Sequence, residues 1–441
     1  VASTAGHRIR EGSGAALARI ERLRRITLNL PRPSDRPTWR CFQAGHREQY
    51  GIPRALHGVA ALDALITDVW VPPGSLAAKL AGGRLGRRLC DRFHADLPDT
   101  KVISFPGRSL IWEAVANLRG LKGGVRTLAR NRWWSSLSAQ ALGGRRSQSI
   151  KHIFGYCYES HALFAAARNL GLAPVLGQID PGPEEDRKVA EIVRQWPEYR
   201  TPFLPGSAAY YESWREECRL AGHIIVNSEW SRTALLQTGI EAGKIRVLPL
   251  VYTPPIETAG WEKTFPGKFS RERPLRILFL GQCILRKGIA ETIEAAQSLL
   301  ERPVEFTFVG NTDIAAFESH FGRARIRYFP RVSRAECHAF YREADVFLFP
   351  THSDGFGLTQ LEAQAWKLPI IASQFCARVV EPGRTGWMLP DVSSGSIVRV
   401  VDEILASPAI VARRSAAIAA WPFSLEQLGR RLTALTESAV S

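Results

Sequence analysis

Two stretches of this chain combine glycine turns with charged side chains where a strand pattern gives way to a helix pattern. The first is Pro350-Thr-His-Ser-Asp354-Gly355-Phe356-Gly357-Leu358-Thr359-Gln360-Leu361-Glu362-Ala363, whose pattern runs from a strand through a glycine turn into a helix. Gly355 and Gly357 permit unusual backbone angles and the close approach of a ligand. A helix beginning near Leu358 presents unpaired N–H groups, with Thr359 in its first turn, so an anion should dock there. Leu358, Leu361, Ala365 and Trp366 mark the buried stripe of this helix, and Glu362 falls on the same stripe, where a carboxylate is costly unless donors meet it. Sugar hydroxyls would be suitable donors, and Asp354 at the lip of the turn would hold a second set. The structural alternative for Glu362 is an internal Arg partner or a capping role on a neighbouring helix.

The second stretch is Gly281-Gln282-Cys283-Ile284-Leu285-Arg286-Lys287-Gly288, again directly after a strand and before a helix. Arg286 and Lys287 at the carboxyl edge of the same sheet can converge on one diphosphate. There they would neutralise charge developing on a leaving nucleotide. An isolated Arg-Lys pair would read as a solvent-facing loop; its place after a strand is what raises this one. A third turn, Gly45-His46-Arg47-Glu48, would sit at the mouth of the first domain. His152, His161, Tyr156 and Asp180 fall near expected strand ends, where packing and turn roles are as good an account. The Gly-x-Gly-x-x-Gly and Gly-Lys-Ser/Thr patterns are absent, as is Gly-x-Ser-x-Gly. No zinc-spaced His/Cys cluster and no Asp-x-Asp occurs, so no metal and no cofactor is expected.

The elements that must carry these residues follow from the alternation of short apolar runs with helical patterns from Trp39 onward, which predicts an α/β class with parallel sheets. Expected strands in the first half are Lys101–Phe105, His152–Phe154, Pro174–Ile179, His223–Val226 and Ile245–Pro249, with helices over Arg108–Leu118 and Glu159–Leu170. Prolines and glycines then cluster between Tyr252 and Phe269, as in a linker. A second alternation follows, with strands at Arg276–Leu280, Val304–Val309, Arg325–Phe329, Val346–Phe349 and Pro369–Ala372, and helices at Ile289–Leu300, Arg334–Glu343 and Leu358–Trp366. The expected organisation is a basic tail over 1–37, a Rossmann-like domain over 38–255, a linker over 256–269, a second Rossmann-like domain over 270–420, and a helix over 421–441 that packs back on the first domain. Two such domains leave a cleft between them, the usual place for a substrate.

Length and charge set the remaining bounds. The 441 residues favour two or three domains, and 45% hydrophobic with 23% charged residues excludes wholesale disorder. No run approaches the ~18 apolar residues a membrane-spanning helix needs, and Val1–Arg10 lacks a secretory core, so a cytoplasmic protein is expected, peripheral to the inner face of the membrane. Seven scattered cysteines without a Cys-x-x-Cys pair read as reduced thiols. The net charge of +16 is concentrated in two places. Arginines from Arg8 to Arg40 face only Glu11, Glu21 and Asp35, and Lys122, Arg126, Arg130, Arg132, Arg145, Arg146 and Lys151 surround Trp133 and Trp134. A membrane surface with anionic lipid suits the second mixture as well as a solvated basic face does. Nucleic acid ranks lower, because no recognition module is present.

With these residues in view the chain resembles the retaining GT-B glycosyltransferases of family GT4. Ser353-Asp354-Gly355-Phe356-Gly357 with Leu361-Glu362-Ala363 is similar to the family's E-x7-E motif, and Leu280-Gly281-Gln282 with Arg286-Lys287-Gly288 is similar to its phosphate loop. The runs His223–Glu229 and Lys244–Pro249 resemble the family's approach to the interdomain linker, and Phe42–Tyr50 its first glycine loop. The resemblance implies a nucleotide-sugar donor and a glycan or lipid-linked acceptor. It implies that Glu362 binds the ribose, Asp354 the transferred sugar, and Arg286 and Lys287 the diphosphate. Amides of Gly355 to Thr359, including Phe356, Gly357 and Leu358, would meet sugar and phosphate, and backbone around Val332, in Arg331–Ser333, the base. Gly45, Gly281 and Gln282 complete the implied donor site. Asp354 stands where the family more often has Glu, Gln282 where it often has Arg, and Gly155-Tyr156 where many relatives have a His. Two other readings stay open: a GT-B epimerase or phosphorylase, and a non-catalytic binder of anionic lipid or nucleic acid with a degenerate cleft.

Overall fold

A computed structural model describes residues 38–75, 92–144, 149–202, 205–330 and 332–437. The arginine-rich stretch through Arg36, together with Cys90, Arg145, Arg146 and Arg331, lies outside the described residues.

Two parallel sheets form the frame. The first holds β1 (Thr38–Gln43), β2 (Leu62–Thr67), β3 (Val102–Ser104), β4 (Ile150–Tyr156), β5 (Ala173–Gln178), β6 (His223–Val226) and β7 (Ile245–Val247), in the order β3-β2-β1-β4-β5-β6-β7. The second holds β8 (Leu275–Leu280), β9 (Val304–Val309), β10 (Ile326–Phe329), β11 (Val346–Phe349), β12 (Ile370–Ala372) and β13 (Gly386–Met388), in the order β10-β9-β8-β11-β12-β13. Every recorded pairing is parallel. The central strand β11 is apolar throughout, as a sheet covered on both faces requires: all four residues of Val346–Phe349 are buried. In each sheet the order reverses beside the first strand, between β1 and β4 and between β8 and β11, which opens a crevice at the carboxyl ends. These are two Rossmann-like domains.

Element bounds differ from the sequence pattern where polar residues interrupt it. The strand Leu62–Thr67 escapes an apolar-run reading because Asp63 breaks it; Arg40 on β1 neutralises that carboxylate at 2.7 Å. The Gly123–Gly144 helix is hidden by its glycine flank and interspersed arginines. Its phase corrects the expectation that Trp133 and Trp134 both meet a membrane. Trp134 shares a buried stripe with Leu137, Ser138 and Leu142 and is 1% exposed, while Trp133 packs against Trp112 at 5.7 Å. Between β7 and β8 there is no strand or α-helix, only the short turn Ile256–Thr258. The helix Leu425–Glu437 buries Leu428 and Leu432 in the cluster that holds Ile52, Ala55 and Leu56 of the Gly51–Gly58 helix. Among the described residues no helix is long and apolar enough to cross a membrane.

Candidate functional site

The loops after β8 and β11 meet because glycine lets them. Gly288 closes the Leu285–Lys287 turn at φ +75°, and a Cβ there would strike the Pro350 carbonyl. The loops are then stitched together: His352 N–H donates to the Arg286 carbonyl at 2.9 Å, and Thr351 Oγ1 donates to the same oxygen at 3.2 Å. Gly357 caps the Leu358–Ala365 helix at φ +87°, where its missing side chain leaves room for the Phe349 ring.

Charge is concentrated at this junction. Lys287 Nζ pairs with Asp354 Oδ2, and Asp354 Oδ1 accepts the Phe356 N–H at 3.1 Å. Burial works to raise the Asp354 carboxyl, but Lys287 and Arg286 outweigh it and hold the group below the usual carboxylate value. Burial likewise lowers the Lys287 ammonium, with Asp354 opposing the shift. Arg286 Nη1 donates to the Ser353 carbonyl at 2.6 Å and lies 3.4 Å from Glu185 of the first domain. Glu185 also accepts from Ser353 Oγ at 2.9 Å. Burial pushes its carboxyl up to about 7, Arg286 pulls it down, and Asp180 and Asp354 add to the rise.

A cavity of about 360 Å³ opens between the two domains at this point. The second domain lines it with Gly281, Gln282, Arg286, Lys287, Asp354, Phe356, Gly357, Leu358 and Thr359, and the first contributes Arg47, Glu48, Ile179 and Asn227. Four expected residues are not among the lining. Gly45 has φ +78° and donates its N–H to Asp68 at 2.8 Å, so its loop reaches the cavity through Arg47 and Glu48 instead. Gly355 abuts the backbone of Ile179 and accepts from Ser231 Oγ at 3.4 Å. Val332 packs against the Phe349–Trp366 cluster. Glu362 lies a turn beyond the helix start, roughly 6 Å along the axis from Leu358, and accepts from Tyr341 OH at 2.8 Å; its observed partner is thus a phenol, not an arginine.

Of the first-domain wall, the sequence singled out the Gly45-His46-Arg47-Glu48 turn but not Asn227. Glu48 accepts from Tyr156 OH at 3.0 Å and Asn227 Nδ2 at 3.4 Å, and burial still raises its carboxyl. Glu48, Gln49 and Tyr50 all take positive φ, 52°, 52° and 59°, a run of strained non-glycine residues of the kind that collects at ligand sites. Glu185 had a local signal, the Pro183-Glu-Glu-Asp start of a helix directly after β5. Of the remaining candidates, His152 stacks on Trp39 at 5.0 Å, and Asp180 closes its turn by accepting from Tyr158, Gln178 and Gly182. His161 lines a separate first-domain pocket.

Comparison with known proteins gives these loops a family. Residues 262–420 match the family described as glycosyl transferases group 1. That match takes in just over a third of the chain. Among curated relatives, an uncharacterised 41.2 kDa protein of the cps region of Klebsiella pneumoniae is 27% identical over 186 residues, 41% of this chain and 51% of that one. A D-inositol 3-phosphate glycosyltransferase of an Arthrobacter strain is 28% identical over 156 residues, 32% of this chain and 36% of that one. The chain therefore spans about half the length of the first relative and about a third of the second. Anabaena Alr3699/HepE, solved in complex with UDP-glucose, superposes with a TM-score of 0.56 at 15% identity, over 91% of this chain and 100% of that one. That likeness establishes the two-domain GT-B fold. The group 1 region thus contains both loops that meet at the cavity, and the wall opposite them comes from the other domain.

Proposed function

We propose that the protein is a glycosyltransferase that moves a sugar from a nucleotide sugar, with retention of anomeric configuration, to a glycan or lipid-linked acceptor. The observation that carries this reading is the cavity where Arg286, Lys287, Asp354 and the amide end of the Leu358–Ala365 helix converge, facing a second domain. Two cations and a helix N-terminus supply positive charge for a diphosphate without a metal. Asp354 is placed to hold the transferred sugar, and Glu362, a turn deeper along the helix, to hold the ribose. The anomeric carbon–oxygen bond to the diphosphate breaks while the acceptor oxygen bonds to that carbon on the same face. The acceptor's proton passes to the leaving phosphate oxygen, so no separate base is required. The Klebsiella relative's cps setting favours a part in cell-surface polysaccharide synthesis, with glycolipid synthesis the other outlet, and the reading puts the enzyme at the cytoplasmic face of the membrane.

The test is sugar transfer from a panel of UDP-, GDP- and ADP-sugars by the intact chain and by Glu362→Ala. Loss of hydrogen bonds to a charged group costs about 1.5–3 kcal/mol, a fall of roughly 10–100-fold in kcat/KM. Wild-type transfer by the variant would remove Glu362 from the site. Product formed from the nucleotide sugar without acceptor would instead favour an epimerase.

A further inference from the structure

Six large hydrophobic side chains stand exposed among the described residues, and five of them are neighbours: Leu110, Ile111, Val115 and Leu118 on the Pro106–Leu118 helix and Val125 just beyond it. Leu110, Ile111 and Leu118 are 71%, 66% and 86% exposed. Their spacing places them on one face of the helix. A surface helix normally turns such a face inward, but this one buries only Ala116 and leaves the apolar face to solvent. A contiguous apolar patch on a surface marks a partner.

Charge says which kind. Between Arg108 and Arg132 the chain carries six cations and a single acid, Glu113, which is paired to Arg126. Arg130 is bound to Asp68 and Arg132 lines a separate pocket, while Arg108, Arg119 and Lys122, within or next to the helix that carries the apolar stripe, are exposed. An apolar face edged by cations fits an anionic bilayer, where the aliphatic groups enter the acyl boundary and the cations meet lipid phosphates. A second copy of the chain is a poor occupant, because a two-fold contact would set the same cations against each other.

We propose that the Leu110–Leu118 face docks the protein on an anionic membrane surface. The helix leaves the carboxyl end of edge strand β3, on the sheet edge from which the Arg47–Glu48 loop reaches the cavity. Docking there would bring the mouth of the cleft toward an acceptor held in the membrane. The inference does not rest on sugar transfer: vesicle binding reads one and calorimetric titration with a nucleotide sugar the other, so either can fail alone.

The experiment floats the full chain with phosphatidylcholine vesicles, with and without about one-third phosphatidylglycerol. The expected result is binding to the anionic vesicles that weakens in high salt, and a drop of about tenfold in the partition coefficient for the triple variant Leu110→Ser/Ile111→Ser/Leu118→Ser. Nucleotide-sugar binding by that variant should stay at the wild-type level, which also verifies its fold. A second variant, Arg119→Glu/Lys122→Glu, should lose anionic vesicles while keeping the apolar stripe. Undiminished vesicle binding by both variants would overturn the proposal and move the lipid contact elsewhere on the chain. Self-association of the wild type that the triple variant abolishes, with no change in vesicle binding, would also overturn it in favour of a dimer.

Discussion

Arg286 is shared. Its guanidinium lies against the Ser353 carbonyl and within reach of Glu185, yet a diphosphate in the cavity would need the same donors. Glu185 therefore competes with the donor for as long as it is ionised. Its carboxyl is pushed up to about 7, so it is mostly neutral at pH 6 and mostly charged at pH 8. An incoming polyanion raises that value further, so binding takes up a proton and the affinity must rise as pH falls. Nucleotide-sugar affinity should strengthen by up to about tenfold from pH 8 to pH 6, because the neutral fraction of a carboxyl titrating near 7 rises from about one-tenth to about nine-tenths over that range. A nucleotide sugar suits the titration because its phosphates carry no proton in this range. Glu185→Gln should flatten the profile and leave affinity at pH 8 close to the wild-type value at pH 6. An unchanged slope in that variant would show that another group titrates.

At the scale of elements, the Leu358–Ala365 helix is useful only if its first N–H groups face the cavity, and Gly357 sets that aim. Alanine there would meet φ +87° and place a methyl group in the Phe349 ring. Backbone strain of this kind costs about 1–3 kcal/mol, and relief requires the helix start to move. Gly357→Ala should lower the melting temperature modestly and weaken nucleotide-sugar binding by at least about tenfold. Wild-type affinity by calorimetry would mean that the amide end does not hold the phosphates. This part of the site was legible in the residues because strand, glycine turn and helix are local, and Asp354, Gly357 and Leu358 sit within five positions. Arg286 and Lys287 were legible for the same reason. The turn that carries Glu48 was expected at the cleft mouth, but Asn227 and Glu185 were not singled out, since the meeting of two domains brings Asn227 to the cavity wall and Glu185 to Arg286, each more than 40 residues from either loop in sequence. The strand Leu62–Thr67 was hidden by Asp63, whose charge Arg40 satisfies only after β1 and β2 pair. Aromatic residues among arginines did not reveal which way they faced: Trp134 is fixed by helix phase, whereas the exposed apolar face lies on the preceding helix.

At the scale of the whole molecule, the chain crosses back after the second sheet. Trp421 donates Nε1–H to the Leu250 carbonyl at 3.1 Å and packs edge-on to Phe356 at 6.1 Å, which ties the returning segment to both sides of the cleft. The Leu425–Glu437 helix then completes the core of the first domain, where Leu432 is fully buried and Gly429 lets the helix approach the Ala55 carbonyl. The core of the first domain is therefore completed by a helix that follows the second sheet in sequence, although its own sheet is built from strands between Thr38 and Val247. Leu432→Ala should cost roughly 2–5 kcal/mol, the range for a buried leucine whose cavity cannot fully collapse. The loss should be local as well as global. Hydrogen exchange should speed up in Gly51–Gly58, the helix directly beneath it, before it changes in β8–β13, since opening proceeds by cooperative units. Urea unfolding followed by tryptophan fluorescence would report the size of the effect, and exchange the place. Equal acceleration in both sheets would mean that the two domains open as one unit, and unchanged exchange in Gly51–Gly58 would mean that the returning helix lends the first domain no stability.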